Sequence, residues 1–433
     1  MIKATFDLTR DVGKIKPLHG VGQPPMTGIE NTMFHYLKEA GIPYSRLHDA
    51  GGMFGGGVYV DIPNIFRDPD ADEYDEASYD FAFTDILVKG LYDNGVEAFY
   101  RLGVTIENYY FIRRYTTHVP ADMKKWAVIC EHIIKHYNCG WANGFNFNIK
   151  YWEIWNEPDN CHTQNAMWDG TMEDYFHLYD AASNHLKKCF PDIKIGGFAS
   201  CGFYLIDEDP DNPSQNYDWH KYYMDFIDGF FAYITDPAHK CPIDFFSWHS
   251  YADPATTENW TYFCQKKLEK YGLGGVEQIV NEWNPSINCR GTSRAAAEAA
   301  DMLLRFQRSP VAAAMYYDAR CDISAYSGMF NPETGRPYPA YYSFVAFNYL
   351  YRARDEKYAA TDSDKINICA AGNYAVIVNP TDDETEIELN VIGADVGKAE
   401  IQAIERDVPA LIWKPNTGKI LKAEPYSVLL IKF

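Results

Sequence analysis

Short apolar runs of strand-like sequence alternate with longer helix-like segments along most of this 433-residue chain, and this alternation constrains the fold most strongly. Strands are predicted at residues 18–22, 42–47, 96–102, 149–155, 193–198, 243–248, 276–280 and 312–317. Helices are predicted at residues 79–94, 121–137, 172–189, 218–233 and 294–307, and the eighth near 341–351. Eight strand–helix units of this size predict an α/β fold, a (β/α)8 TIM barrel, rather than an open sheet.

Capping residues mark the predicted starts of two of these helices. Ser78 directly precedes the helix predicted at 79–94, and Thr171 precedes the helix at 172–189. Asp174 follows Thr171 by three residues, which is the spacing of a reciprocal capping pair.

The sequence texture changes after about Arg354. Short alternating runs follow, broken by turn residues, and no helix-length pattern remains; the runs lie at 366–369, 374–379, 384–389, 400–404 and 427–433. They predict a C-terminal β-sandwich accessory domain, which the early run at 3–8 could join. The predicted division is a catalytic barrel at 13–352 and an accessory domain made of 1–12 plus 353–433. This domain could pack on the barrel, carry a sugar site or make a dimer contact.

Composition and charge limit the classes of partner. The formal net charge is −21, which disfavours nucleic acid and anionic membrane surfaces because both are polyanions. No run approaches the roughly 20 apolar residues that a membrane span needs, and no secretory signal pattern opens the sequence. The ten cysteines show no metal-ligand spacing. Because no export signal is seen, a cytoplasmic protein with reduced thiols is expected. A homo-oligomer is left open.

Two long connections interrupt the barrel pattern. A glycine-rich one covers residues 50–75 after the second strand, and another covers 201–217 after the fifth. Loops that follow barrel strands lie on the catalytic face, so both are expected to shape a pocket there.

Two predicted strands end in the same polar pair. YWEIWNEP at residues 151–158 ends with Asn156 and Glu157, and VEQIVNEWNP at 276–285 contains Asn281 and Glu282. The ends of strands 4 and 7 face each other across the mouth of a (β/α)8 barrel. A carboxylate pair at that place is typical of glycoside hydrolysis. The alternative is that each glutamate caps a helix or pairs with an arginine.

The motifs around these glutamates resemble those of clan A glycoside hydrolases. WNEP at 155–158 resembles the acid/base motif and NEWN at 281–284 the nucleophile motif; the match is closest to family 39, which includes β-xylosidases and α-L-iduronidases. Four further segments support this resemblance: KPLHGVG at 16–22, SRLHD at 45–49, KIGG at 194–197 and SWHSY at 247–251. The resemblance extends to the C-terminal SVLLIKF.

The resemblance implies roles for five polar residues. Glu157 corresponds to the acid/base, which needs a raised pKa, and Glu282 to the nucleophile, which must stay ionised. Arg46 and Tyr251 resemble the family's hydrogen-bond donors to the nucleophile. Asn156 resembles the amide that contacts the sugar 2-hydroxyl. Arg46 could also be a structural ion pair inside the barrel, and Asn156 a turn residue.

Further residues are implied to contact the sugar. His48 and His249 resemble residues that line the glycone pocket, although a histidine in a strand is often a core residue. Trp283 and Tyr317 complete the predicted substrate contacts. A metal site formed by His48, Asp49 and His249 is possible by residue type, but the family needs no metal, and no cofactor is expected.

Departures from the family pattern concern the glycone rather than the catalytic pair. The β-xylosidases of the family carry an aromatic residue, usually Trp, at the end of strand 8, followed by two adjacent acids. This chain has MYYDARCDIS at 315–324, so Tyr317 would replace the Trp, and Asp318 or Asp322 would partly replace the acids. Asp49 stands where relatives often have glycine.

The sequence therefore predicts a retaining glycosidase that is exo-acting on plant-type oligosaccharides and β-xylosidase-like. Double displacement would use Glu282 as nucleophile and Glu157 as acid/base. An exo-glycosidase for arabinose, galactose or a uronic acid is one alternative, and an endo-hydrolase is another. A catalytically silent carbohydrate-binding barrel belongs to a different class; the presence of both glutamates argues against it.

Overall fold

A closed barrel of eight parallel strands forms the larger part of the computed structural model, which describes residues 1–26, 33–50, 60–105, 117–160, 166–405, 411–416 and 418–433. A separate strand, β1 (Ile2–Lys14), precedes it. The barrel strands are β2 (Gly20–Gly22), β3 (Tyr44–Leu47), β4 (Glu97–Leu102), β5 (Tyr151–Ile154), β6 (Lys194–Ser200), β7 (Phe245–Ser250), β8 (Glu277–Trp283) and β9 (Val311–Tyr316). Each pairs with the next, and β9 closes the barrel on β2.

All eight predicted barrel strands are present, so the predicted fold class is confirmed. The largest difference is at β8, which was expected to end at Val280 but continues to Trp283. Pairing with β7 carries it on, because His249 pairs with Glu282 and Ser250 with Trp283. Glu282 therefore lies within the strand, on a rigid element, rather than in the loop that follows.

Helices surround the barrel strands as the alternation predicts. They are α1 (Phe34–Glu39), α2 (Ile62–Ile65), α3 (Ala82–Asp93), α4 (Met123–Cys139), α5 (Met172–Cys189), α6 (Tyr217–Thr235), α7 (Pro254–Lys270), α8 (Ser293–Arg308) and α9 (Pro339–Ala353). Within the described part of the chain, none of them combines the length and apolarity that crossing a bilayer requires.

One of the two predicted helix caps is present. The Thr171 hydroxyl accepts from the Asp174 amide at 3.1 Å, and the Asp174 carboxylate accepts from the Thr171 amide at 2.9 Å. The prediction for Ser78 is wrong, because α3 begins only at Ala82. Ser78 belongs to a short 3-10 turn, Glu76–Ser78, whose first turn is capped by the Asp75 carboxylate.

The accessory region is one nine-stranded sheet, curled so that strands far apart in it share an apolar core. Its further strands are β10 (Asp355–Thr361), β11 (Asn367–Ala371), β12 (Tyr374–Asn379), β13 (Thr385–Ile392), β14 (Glu400–Ile404), β15 (Lys414–Pro415), β16 (Ile420–Ala423) and β17 (Ser427–Lys432). β1 joins this sheet, parallel to β13 and antiparallel to β10. Phe6, Ile377, Leu389 and Ile431 lie in the shared core.

The curled sheet packs against α8 and α9 of the barrel. The Asn367 side chain on β11 receives a hydrogen bond from Arg308 at 2.7 Å and donates one to Asp301 at 2.9 Å. The Tyr349 ring on α9 packs edge-on against Trp413, with 5.8 Å between the ring centroids. The division into a catalytic barrel at 13–352 and an accessory domain made of 1–12 plus 353–433 remains a prediction.

Candidate active site

A cavity of about 340 Å³ opens at the carboxyl ends of the barrel strands. Polar and aromatic side chains line it. They come from the ends of β3, β5, β8 and β9, from the connections after β5, β6, β7 and β9, and from the first turns of α6. They are His48, Asn156, Glu157, Asn160, Met167, Cys201, Tyr204, Asn216, Trp219, His220, Tyr223, Tyr251, Glu282, Tyr317 and Tyr326. This is the end of a (β/α)8 barrel at which ligands bind.

Glu157 and Glu282 meet at the floor of this cavity. A carboxylate oxygen of each lies within 4.8 Å of the other, and the imidazole of His249 lies within the same distance of both. Glu157 follows β5 in a tight turn with φ of 44°, and its amide donates to the carbonyl oxygens of Phe198 and Ala199 at 3.2 and 3.1 Å. These backbone hydrogen bonds hold in place the turn that carries Glu157.

Glu282 is buried and receives hydrogen bonds on both carboxylate oxygens. Arg46 Nη1 donates to Oε1 and the Tyr251 hydroxyl donates to Oε2, each at 2.7 Å. Burial raises the pKa of Glu282, whereas Arg46 and the Tyr251 hydroxyl act in the opposite direction. Glu282 is therefore ionised more readily than an equally buried carboxyl that lacks such donors.

Arg46 is both a structural ion pair and a donor to Glu282, so the two interpretations of it coexist. Its Nε and Nη2 atoms lie 2.8 and 2.6 Å from Glu153 Oε2, and Nη2 also donates to Asn156 Oδ1 at 2.6 Å. Glu153 is fully buried in β5 and also accepts from the Ser247 hydroxyl at 2.6 Å. The guanidinium is therefore locked between two anions and an amide.

Glu157 has fewer charged neighbours than Glu282. Its Oε1 lies 2.6 Å from His249 Nδ1, and its Oε2 accepts from the Asn160 amide at 3.0 Å. Burial raises the pKa of Glu157, with Asn160 and the Arg46 charge opposing the rise. Burial also lowers the pKa of His249 to about 4, so this imidazole is neutral near pH 7.

The structure places the two predicted pocket histidines differently. His48 lines the cavity, but His249 is fully buried beneath it and lies 2.6 Å from Glu157 and 3.5 Å from Glu282. His249 thus supports the carboxylates from behind.

His48 belongs to a buried polar cluster with Arg101, Asp49, Tyr317 and Gln23. Arg101 Nε donates to His48 Nδ1 at 3.1 Å, which places the ring proton on Nε2, 3.3 Å from Asp49 Oδ2. The same Asp49 oxygen accepts from the Tyr317 hydroxyl at 3.0 Å and from the Gln23 amide at 3.2 Å. Asp49 therefore orients two side chains of the cavity wall.

The alternative metal site at His48, Asp49 and His249 has no geometric support. Among the described residues, two groups bring three metal-ligating atoms together, and neither contains His48 or Asp49. One is Glu157, His249 and Glu282; the other is Glu131, His185 and Cys189, outside this cavity.

Besides His249, three residues expected near the sugar do not line the cavity. The Trp283 side chain is fully buried on the helix side of β8, where it packs against Phe306 and Phe344. Asp318 is buried and bonded to Arg320 and Ser327, and burial raises its pKa. Asp322 is exposed.

The glycine-rich connection at 50–75 lies partly outside the described residues, since 51–59 are among those not described.

Sequence reasoning missed much of the cavity wall. The connection at 201–217 contributes Cys201, Tyr204 and Asn216, as its position predicted, but the individual side chains were not identified. Trp219 and Tyr223 come from the first turns of α6. The available signal was the aromatic-rich start of the helix that directly follows the long connection after β6, the fifth strand of the barrel.

Asp159 was also missed, although it follows Glu157 by two residues. It is fully buried and accepts from the Ser200 hydroxyl at 2.7 Å and the Cys201 amide at 3.0 Å. Burial raises its pKa to about 7, and the nearby Glu157 contributes to that rise. Its carboxyl anchors the loop that carries Glu157 to the end of β6.

A closed (β/α)8 barrel with two glutamates facing each other across its mouth is an arrangement typical of glycoside hydrolases. The chain belongs to family 39 of the glycosyl hydrolases, whose family model matches residues 31–288. The match extends from α1 to β8 and includes both glutamates.

Individual relatives agree with this assignment. A curated beta-xylosidase from Caldicellulosiruptor saccharolyticus is 26% identical over 170 residues, which cover 37% of this chain and 31% of that protein. The solved structure of a glucosidase from Croceicoccus marinus superposes with a TM-score of 0.77 at 18% identity, covering 100% of this chain and 99% of the other. A monomeric beta-xylosidase from Caulobacter crescentus gives 0.67 at 15% identity, with the same coverage. At these identities the structures establish the fold.

Proposed function

We propose that this protein is a retaining glycosidase in which Glu282 is the nucleophile and Glu157 the acid/base. The closeness of the two carboxylates carries this proposal, since one oxygen of Glu157 lies within 4.8 Å of one oxygen of Glu282. Retaining enzymes hold the two carboxyl groups about 5–5.5 Å apart, whereas inverting enzymes hold them about 6.5–9.5 Å apart to admit a water molecule.

The different surroundings of the two glutamates support the assignment of roles. Glu282 receives charge-assisted and neutral hydrogen bonds from Arg46 and Tyr251, which favour a carboxylate ready to attack the anomeric carbon. Burial raises the pKa of both carboxyls, but Glu157, unlike Glu282, has no cation bonded to it among the described residues. It is thus the better proton donor for the leaving oxygen.

Two displacements complete the reaction. In the first, Glu282 bonds to the anomeric carbon while the glycosidic bond breaks and Glu157 transfers its proton to the departing oxygen. In the second, Glu157 takes a proton from water, the water oxygen bonds to the anomeric carbon, and the bond to Glu282 breaks. Asn156 accepts from Arg46 through its oxygen, which leaves its amide nitrogen to donate to the sugar 2-hydroxyl.

The cavity favours small glycones and attack at a chain end. Its volume of about 340 Å³ lies near the lower end of ordinary ligand pockets, roughly 300–1,000 Å³. Trp219 and Tyr326 line the cavity and are partly exposed, and aromatic rings of this kind can stack on a second sugar. We therefore propose β-xylosidase-like exo-action on plant-type oligosaccharides, with arabinose, galactose and uronic acid as the alternative glycones.

The stereochemistry of hydrolysis tests the mechanism. The protein is incubated with aryl glycosides of β-xylose, α-L-arabinofuranose, β-galactose, β-glucose and α- or β-uronic acids. The first product of the best substrate is then followed by proton NMR before it mutarotates. We expect the first-formed sugar to keep the anomeric configuration of the substrate. Appearance of the opposite anomer first would rule out double displacement. If none of the aryl glycosides is hydrolysed, and the protein binds oligosaccharides but leaves them uncleaved, the result would favour the catalytically silent barrel.

The Tyr251 hydroxyl provides a graded test of the nucleophile assignment. Tyr251→Phe removes one of the hydrogen bonds to Glu282 and should lower kcat by about 10- to 100-fold, because that bond stabilises the ionised carboxylate. It should also raise the pKa of Glu282, so the acidic limb of the kcat/KM profile should move to higher pH. Tyr223→Phe is the matched control, since Tyr223 lines the cavity without bonding to Glu282. Equal effects in both variants would contradict the assigned role.

A further inference from the structure

Helices α4 and α5 bring three metal-ligating side chains together on the outside of the barrel. Glu131 belongs to α4, whereas His185 and Cys189 lie four residues apart on α5 and therefore on one face of it. One ligating atom from each lies within 4.8 Å of the other two. None of the three lines the catalytic cavity.

The distances are close to those of a tetrahedral zinc site. Zinc binds thiolate sulfur at about 2.3 Å and imidazole nitrogen at about 2.0–2.1 Å, which implies about 3.5 Å between two ligand atoms. Cys189 Sγ and His185 Nε2 are 3.8 Å apart. His185 Nε2 and Glu131 Oε2 are 2.6 Å apart and share a proton. A cation that replaces this proton must move the two atoms further apart, by less than an ångström.

Glu131 supplies the negative charge of the trio. Burial raises the pKa of Glu131, but hydrogen bonds from Lys135 and His185 outweigh it and leave the pKa lowered. Lys135 bonds to Oε1, so Oε2 is the oxygen that faces His185 and Cys189. The site thus presents an ionised carboxylate to the imidazole and thiol, and Lys135 holds it in place.

We propose that Glu131, His185 and Cys189 form a binding site for a divalent transition-metal cation, with zinc as the best fit to mixed sulfur, nitrogen and oxygen ligands. Binding releases the thiol proton of Cys189 to solvent and moves the His185 ring proton to Nδ1. Cys189 is exposed and His185 partly exposed, so water completes the coordination shell. The ion would join the two helices that flank β5 and stabilise the folded protein.

Cobalt absorption tests this site directly. The full-length protein, stripped of metal, is titrated with Co²⁺, and thiolate-to-cobalt absorption is recorded. We expect saturation at one equivalent, displacement by Zn²⁺, and loss of the absorption in Cys189→Ser and His185→Ala. Cys139→Ser is the matched control for an exposed cysteine on α4. Cys201→Ser controls for the catalytic cavity, where Glu157, His249 and Glu282 could also hold an ion.

Three outcomes of the cobalt titration would overturn the proposal: no thiolate absorption in the wild type, unchanged absorption in Cys189→Ser, or loss of absorption only in Cys201→Ser. Circular dichroism of each variant separates loss of the site from loss of the fold. Thermal unfolding gives a second measurement, since Zn²⁺ should raise the Tm of the wild type and of Cys139→Ser but not of Cys189→Ser. Equal shifts in all three would also contradict it.

Discussion

Glu282→Ala should lower kcat on every active aryl glycoside by on the order of 10⁴-fold or more, because no other group replaces the attacking carboxylate. The expected loss is independent of the leaving group, since both displacements involve Glu282. The change leaves Arg46 without one of its two anionic partners, while Glu153 still pairs with it. Circular dichroism should therefore report an intact fold, and steady-state kinetics with the best substrate of the panel measures the loss.

Azide distinguishes loss of the nucleophile from general damage to the site. In Glu282→Ala, azide can enter the space left by the carboxylate and attack the anomeric carbon, so activity should return with a glycosyl azide of inverted configuration. Glu277→Ala is the matched control, because Glu277 opens the same strand and pairs with Lys194 outside the cavity. Wild-type turnover in Glu282→Ala, or equal loss in both variants, would show that the nucleophile has been misassigned.

The barrel could be predicted from the sequence because its signal is local and repeated. Each strand is a short apolar run between helices, and closure follows once eight such units are counted. The glutamate pair could be located for the same reason, as both residues end recognisable runs. The extension of β8 to Trp283 could not be found this way, because Asn281 and Glu282 are polar and only the pairing with β7 shows that the strand continues.

The sequence could not predict the role of residues for which that role depends on the direction of the side chain. Trp283 adjoins Glu282, but consecutive residues of a strand point to opposite faces, and its indole packs against the helices. Glu153 reads as part of an apolar strand, yet it is the buried partner of Arg46. β10 was missed because DEKYAAT has no apolar alternation, and it forms through pairing with β1 from the other end of the chain.

Glu157→Ala should separate substrates by the quality of their leaving group. Oligosaccharides, and aryl glycosides with poor leaving groups, need a proton on the departing oxygen, so kcat/KM for them should fall by about 10³- to 10⁴-fold. Glycosides with highly acidic phenols leave without that proton and should lose little in kcat/KM. Their kcat should still fall, since Glu157 also activates water for the second displacement, and a burst of phenol should precede a slow steady state.

The pH profile and azide complete the case for Glu157. Burial raises the pKa of this carboxyl, and its protonated form is the active one in the first displacement. Wild-type kcat/KM should therefore fall as pH rises through that pKa, whereas Glu157→Ala should lose this limb and keep the acidic limb set by Glu282. Azide should now yield a glycosyl azide of retained configuration, because it attacks the intermediate on Glu282. An inverted azide, or an unchanged basic limb, would mean that the roles of the two glutamates are exchanged or that another acid acts.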